Sequence, residues 1–227
     1  MTRSITRENE SRQKAKYIIG DIAAAMLSWV VYYLFKIFVL EISPFSFGTK
    51  FFVSLSLYTA GWSFLHYLSG YYNSTFIKSR LNELVTTFAT TLLGCLVLFF
   101  ITVSNDEIEY NEINISITVL FLLQFSLTYI IRLCQTQRIA HMIHDREIGF
   151  NTLIIGTGRH ARQTAQMLNN LPLSSGYYII GFISYGDDKA EGLQAPVITL
   201  DKDNTLGKIA KENDVKNVII ATEHQDN

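Results

Sequence analysis

The sequence predicts a membrane-embedded helical bundle followed by an α/β domain built on a parallel sheet. Three observations carry this: charge is segregated along the chain, four apolar segments are long enough to cross a bilayer, and a strand–glycine turn–helix pattern comes after them. Charged residues make up 17% of the 227, below the roughly 25% usual in soluble domains, and most lie before Tyr17, in short connections and after Arg132. A formal net charge of −1 gives no basic balance of the kind that marks a nucleic-acid binder. Cys95 and Cys134 stand one mid-segment and one at a helix end, so they read as free thiols rather than a disulfide framework.

Residues 1–16 form a basic N-terminus, and the apolar run after it is too long for the core of a signal peptide and lacks a small-residue cleavage site, so it reads as a retained helix. A hydrocarbon core of about 30 Å needs roughly 20 residues at 1.5 Å each. Tyr17–Leu40, Phe51–Tyr72, Leu84–Val103 and Ile113–Ile131 meet that length, and together they make residues 17–133 a four-helix transmembrane domain. Lys and Arg set the orientation. Arg3, Arg7, Arg12, Lys14 and Lys16 precede the first segment, Lys78 and Arg80 separate the second from the third, and Arg132, Arg138 and Arg146 follow the fourth. The connection around Asp106, Glu107, Glu109 and Glu112 has no basic residue, and the first connection has only Lys50. Both ends are therefore expected in the cytoplasm, as in a multi-pass inner-membrane protein in contact with its lipids.

Charges inside these segments have local readings. Asp21 is an interfacial carboxylate reached by water, or the partner of Arg80 or Arg132 in an ion pair that orients the bundle. Lys36 snorkels toward Glu41 near the far end. His66 reads as a hydrogen-bonded structural histidine. Gly61, Gly70 and Gly94 permit close helix approach without a strict Gly-x-x-x-Gly spacing.

Residues 134–150 are polar and basic with helical spacing at Ile139, Met142 and Ile143, which predicts a linker helix on the inner leaflet, with Arg138, His141, His144 and Arg146 near lipid phosphates. The pattern then changes. Thr152–Ile155 is a short buried strand that enters Gly156-Thr157-Gly158-Arg159-His160-Ala161, after which Ala161, Ala165 and Leu168 share a helix face. In dinucleotide-binding folds the first glycine of such a turn allows the tight bend and the second lets the backbone approach a pyrophosphate. The small third position lets helix pack on strand. Gly156, Gly158, Arg159 and Ala161 are thus the candidate nucleotide loop. Tyr177–Ser184, a stretch near Val197 and Val218–Ala221 read as further strands, and Leu206–Asn213 as a helix, so residues 151–227 make a partial Rossmann-like domain with a parallel sheet. The acid that would hold a ribose is misplaced, since Asp187 and Asp188 lie beyond Gly186 in a loop that runs on to Gly192. The loop is therefore either a nucleotide site or a turn kept for folding or for docking a neighbour, the second being favoured. The chain ends six residues after Ala221, so the sheet is expected to be completed by something absent.

The order of these elements resembles a known family. Gly70-Tyr71-Tyr72, then Lys78-Ser79-Arg80-Leu81-Asn82-Glu83-Leu84 opening the third segment, Phe121-Leu122-Leu123-Gln124-Phe125 with Tyr129 to Arg132 in the fourth, and Gly149-Phe150-Asn151-Thr152-Leu153-Ile154-Ile155-Gly156 are similar to the N-terminal region of the polyprenyl glycosylphosphotransferases. These bacterial sugar transferases start exopolysaccharide, capsule or O-antigen synthesis. The resemblance implies transfer of a sugar 1-phosphate from a UDP-sugar to undecaprenyl phosphate. In the family a separate module holding Mg²⁺ and an Asp–Glu pair carries the chemistry, and no position here inherits those roles. No catalytic or metal-ligating set is expected in this chain, which alone should be inactive, and homo-oligomerisation is left open. Membrane-bound nucleotide-sugar epimerases or dehydratases have a similar layout, and a non-catalytic scaffold or regulator of polysaccharide assembly is a further reading. A channel is disfavoured, because Ser69-Gly70-Tyr71-Tyr72 is not a selectivity-filter loop.

Overall fold

The computed structural model describes residues 3–39, 48–73, 76, 79–103, 110–184, 193, 195–200 and 205–222. Leu40, Glu41, Lys78, Asp106, Glu107, Glu109, Gly186, Asp187, Asp188 and Gly192 lie outside them. The chain divides into two compact units, Ser11–Arg138 and Met1–Glu10 with Ile139–Asn227.

The helical unit takes in most of α1 (Arg7–Phe38) and α4 (Tyr110–His144) and all of α2 (Thr49–Leu68) and α3 (Arg80–Val103), with a single 3₁₀ turn at Tyr71–Asn73 after α2. Three helices, Glu8–Phe38, Arg80–Val103 and Ile113–His144, are long and apolar enough to cross a membrane. α2 has the length, with 20 residues, but Ser54, Ser56, Thr59, Ser63 and His66 dilute its apolar character. Its pattern is inverted relative to a soluble helix. Val53, Leu57, Phe64 and Leu68 are exposed, whereas Tyr58, Trp62 and His66 are buried. Hydroxyls along α2 and α3 donate back to their own helix, Thr59 to Leu55 O at 2.8 Å, Ser63 to Thr59 O at 2.8 Å and Thr91 to Thr87 O at 2.7 Å, so they need no water. The core of the unit is Ala25, Tyr32, Tyr58, Trp62, Cys95 and Leu120. At Gly94 a Cβ would stand 2.4 Å from the Trp62 ring, so glycine there lets the indole lie against α3. Gly61 meets nothing within 4 Å, and its expected role in close approach is not borne out.

The helices overshoot the apolar segments. α1 begins ten residues before Tyr17, at Arg7, and residues 134–144 continue α4 without a break instead of forming a separate linker helix. Residues 148–150 already belong to a strand.

The second unit is a parallel sheet. It contains β1 (Arg3–Ser4), β2 (Ile148–Ile155), β3 (Tyr177–Ser184), β4 (Val197–Thr199) and β5 (Asn217–Ile220), with α5 (Arg159–Asn170) after β2 and α6 (Leu206–Glu212) after β4. β3 pairs with β2 and β4 with β3, all parallel. Alternation of the β2 hydrogen bonds places the remaining partners. Phe150 N–H donates to Gly176 O on the β3 side at 2.7 Å, whereas Gly149 O and Asn151 O accept from Ile5 and Lys216 on the other side, each at 2.9 Å. β1 and β5 therefore share one edge of β2, and the sheet runs β4–β3–β2–β5 with β1 beside the start of β2. The basic character of residues 1–16 gives no sign of this strand. The two-residue β1 is held by more than its ladder, since Ile5 is buried, Asn9 Nδ2 donates to Ser4 O at 3.2 Å and Lys216 pairs with Glu10 at 3.0 Å.

β2 is covered on both faces, which is why Leu153-Ile154-Ile155 is a continuous apolar run rather than an alternating one. Ile154 and Phe182 pack with Ala161 and Ala165 of α5, while Leu153 and Ile183 pack with Ile209 of α6. The result is three layers with α5 and α6 on opposite faces.

Candidate functional site

The loop between β2 and α5 lies at the carboxyl end of the central strand, next to the end of β5. Gly156 has φ +117, and a Cβ there would stand 2.4 Å from Ala221 O, the backbone just past β5. The close approach that requires this glycine is thus made by the chain's own β5 end. Gly158 is the N-cap of α5 at φ −76 and ψ −165, extended backbone that any residue adopts. Between them Thr157 is fully buried. Arg159 is exposed in the first turn of α5, and Ala161 is buried against Ile154 and Phe182, where its small side chain lets helix rest on strand. The first N–H groups of α5 have no intrahelical acceptors and carry the partial positive charge of a helix start. The acids considered for a ribose, Asp187 and Asp188, lie outside the described residues.

A second polar constellation is inside the helical unit. Arg132 of α4 is fully buried and grips Asp21 of α1 with two nitrogens, Nε to Oδ1 at 2.8 Å and Nη2 to Oδ2 at 2.7 Å. Its Nη1 donates to Thr87 of α3 at 3.1 Å, and its guanidinium lies 3.5 Å over the Tyr71 ring. Tyr72 donates to Asp21 Oδ2 at 2.7 Å. Tyr71 and Thr136 donate to the two oxygens of Glu83 at 2.5 and 3.0 Å, and Tyr17 shares a hydrogen bond with Thr136 at 3.0 Å. The cluster joins α1, α3, α4 and the Tyr71–Asn73 turn. Of the two readings of Asp21, the ion pair with Arg132 is the one observed. A bidentate guanidinium–carboxylate pair with its remaining lone pairs and protons satisfied is the arrangement that offsets the desolvation of two buried charges.

α1, α2 and α4 share a smaller network deeper in the unit. Ser28 and Tyr58 both donate to Gln124 Oε1, Tyr58 at 2.9 Å, and Gln124 Nε2 donates to Thr128 at 3.0 Å. His66 is buried against Trp62 with ring centroids 6.0 Å apart, and neither ring nitrogen has a hydrogen-bond partner among the described residues, so the expected hydrogen-bonded histidine is instead a packed one. Glu41, the expected partner of Lys36, lies outside the described residues.

Chemically, the cluster is a lock rather than a reaction centre. Asp21 and Glu83 are consumed by internal donors, and among the described residues no group of three or more His, Cys, Asp or Glu side chains is placed to hold a metal ion. These residues do not fit the Mg²⁺ site that the family resemblance implies for another module. Sequence reading finds Asp21 and Arg132 because charge in an apolar segment is conspicuous. It names Tyr71, Tyr72 and Glu83 only within the motifs that carry the family resemblance and gives their side chains no role, since that role depends on the turn after α2.

A family model described as a CoA-binding domain matches residues 67–227, which takes in the end of α2, the turn after it, α3, α4 and the α/β unit apart from β1. The chain belongs to this CoA-binding domain family, whose domain is found in polyprenyl glycosylphosphotransferase-type sugar transferases. A comparison with the curated proteins gives no match.

Proposed function

We propose that this chain is the membrane anchor and nucleotide-binding-type accessory region of a sugar transferase that moves a sugar 1-phosphate from a UDP-sugar to undecaprenyl phosphate at the inner leaflet of a bacterial cytoplasmic membrane. The observation that carries the proposal is the extent of the family match, which joins membrane-type helices and a parallel α/β unit in one module. The strand order β4–β3–β2–β5 is that of the first half of a Rossmann fold, with the glycine turn where the order reverses. In this reading the chain anchors and positions, and the transfer chemistry belongs to residues outside those described.

Four spans are supported by parity. β1 is hydrogen-bonded to β2, so residues 3–4 and 148–149 lie on one side of the membrane. Three crossings by α1, α3 and α4 would separate them. A fourth crossing by α2 restores the match, and at 20 residues it spans about 30 Å. Exposed Arg12, Lys16, Arg80 and Arg138 at the end of the helices that leads to β1 and β2 favour the cytoplasm for that side.

The test is transfer of label from radiolabelled UDP-sugars to undecaprenyl phosphate in membranes of the native host. Deleting the gene is expected to abolish the lipid-linked product and a plasmid copy to restore it, while the purified chain of 227 residues gives none. Undiminished transfer in the deletion strain, or turnover by the purified chain, would contradict the proposal. UDP, NAD and coenzyme A share a pyrophosphate, and a nucleotide role for the Gly156 loop predicts that one of them raises the melting temperature of the chain.

A further inference from the structure

At the end of the helical unit away from Arg132, the four helices line a cavity of about 790 Å³. Trp29, Tyr32, Tyr33 and Phe51 give it aromatic walls, and Lys36 and Lys50 are in its lining, with no acidic residue lining it among the described residues. Neither ammonium has a carboxylate partner among the described residues. The described lining thus carries two positive charges with no negative charge among its residues.

A second hollow adjoins it. The groove between α2 and α3, about 730 Å³, shares Trp29, Ser54 and Leu98 with the aromatic cavity and is otherwise lined by apolar groups such as Leu57, Phe64, Val97 and Ile101. Two glycines shape it. Gly94 lets Trp62 lie against α3, and Gly61 leaves the groove wall bare, since a Cβ there meets nothing within 4 Å.

We propose that these joined hollows bind an anionic glycerophospholipid, its phosphate held by Lys36 and Lys50 and one acyl chain lying in the groove past Gly61 and Gly94. A phosphate supplies the negative charge that the described lining lacks, and its attraction to two ammoniums grows as the surroundings become less polar. An acyl chain fits a groove lined mostly by apolar groups and lies along helices of bilayer length. The aromatic walls suit the boundary between headgroup and hydrocarbon.

The test uses the full chain in non-ionic detergent, with native mass spectrometry reading retained lipid from an equimolar mixture of phosphatidylglycerol and phosphatidylcholine. Phosphatidylglycerol should be retained at least tenfold over phosphatidylcholine. Lys36→Gln/Lys50→Gln should bring the two to parity, Gly61→Leu should reduce retention of both, and Lys14→Gln/Lys16→Gln at the opposite end should change neither. Equal retention by the unaltered chain would overturn the proposal, as would selectivity that survives the Lys36/Lys50 change or is lost in the Lys14/Lys16 control. Displacement of the lipid by glycerol 3-phosphate would assign the cavity to a soluble phosphate instead. Gly61→Leu adds a side chain to open space, so unchanged retention in that variant also counts against the proposal.

Discussion

Arg132 shows how much of the helical unit hangs on one side chain. Its three nitrogens reach α1 and α3 and its flat face covers Tyr71, so removing a partner leaves charge stranded in a dry interior. Asp21→Ala is expected to cost about 3–5 kcal/mol, read as a lower melting temperature in detergent. Asp21→Leu/Arg132→Met should recover most of that loss, because no charge is then left buried. A double variant as unstable as the single one would mean that the pair is not the source of the effect. The two glycines of the nucleotide-type turn separate in a similar way. Gly156 has a positive φ and meets Ala221 O, so Gly156→Ala should destabilise by more than about 1 kcal/mol, whereas Gly158, at an ordinary φ, should tolerate alanine. Melting curves of the two variants decide it, and equal losses would refute the geometric distinction. Sequence spacing marks both glycines alike. What distinguishes them is the path of β5 some sixty residues on, which no local pattern contains.

Among the elements, β1 and α2 are the hardest to read from sequence, for different reasons. β1 is two residues long and flanked by charge, too short for any periodicity, and it exists because β2 offers an unpaired edge ahead of β5. Ile5 anchors it, buried and donating its N–H to Gly149 O at 2.9 Å. Ile5→Asp should release the strand, so hydrogen exchange at residues 3–6 should rise toward the rate of an unprotected peptide while β3 stays protected. Unchanged protection at residues 3–6 would show that β1 does not depend on this anchor. α2 is recognisable by length, but its serines, threonines and His66 blur its composition. Burial resolves it, with Tyr58, Trp62 and His66 inward and Val53, Leu57, Phe64 and Leu68 outward. The strands β3 and β4 and the helices α5 and α6 are legible, because glycine and proline punctuate them and each covers a sheet face. The extension of α1 and α4 past their apolar segments is not, since a solvated helix end has no hydrophobic signal to bound it.

For the molecule as a whole, the sequence carries the two-part architecture through charge segregation and the change of pattern near Asn151, and the order of motifs points to the family setting in which the CoA-binding domain is found. An even number of crossings is expected from the Lys and Arg distribution, and the pairing of the first residues with β2 supports that proposal independently. The most direct test of the account is side-specific labelling in intact spheroplasts. Single cysteines at Ser11, Gly48, Ser79 and Ser174, in a background with Cys95→Ala and Cys134→Ser, are treated with an impermeant maleimide before and after permeabilisation. The account predicts labelling of Gly48→Cys alone in intact spheroplasts and of all four once the membrane is opened. Gly48→Cys and Ser79→Cys behaving alike would remove α2 as a span, and Ser11→Cys and Ser174→Cys reporting opposite sides would contradict the pairing of β1 with β2 on which the topology rests.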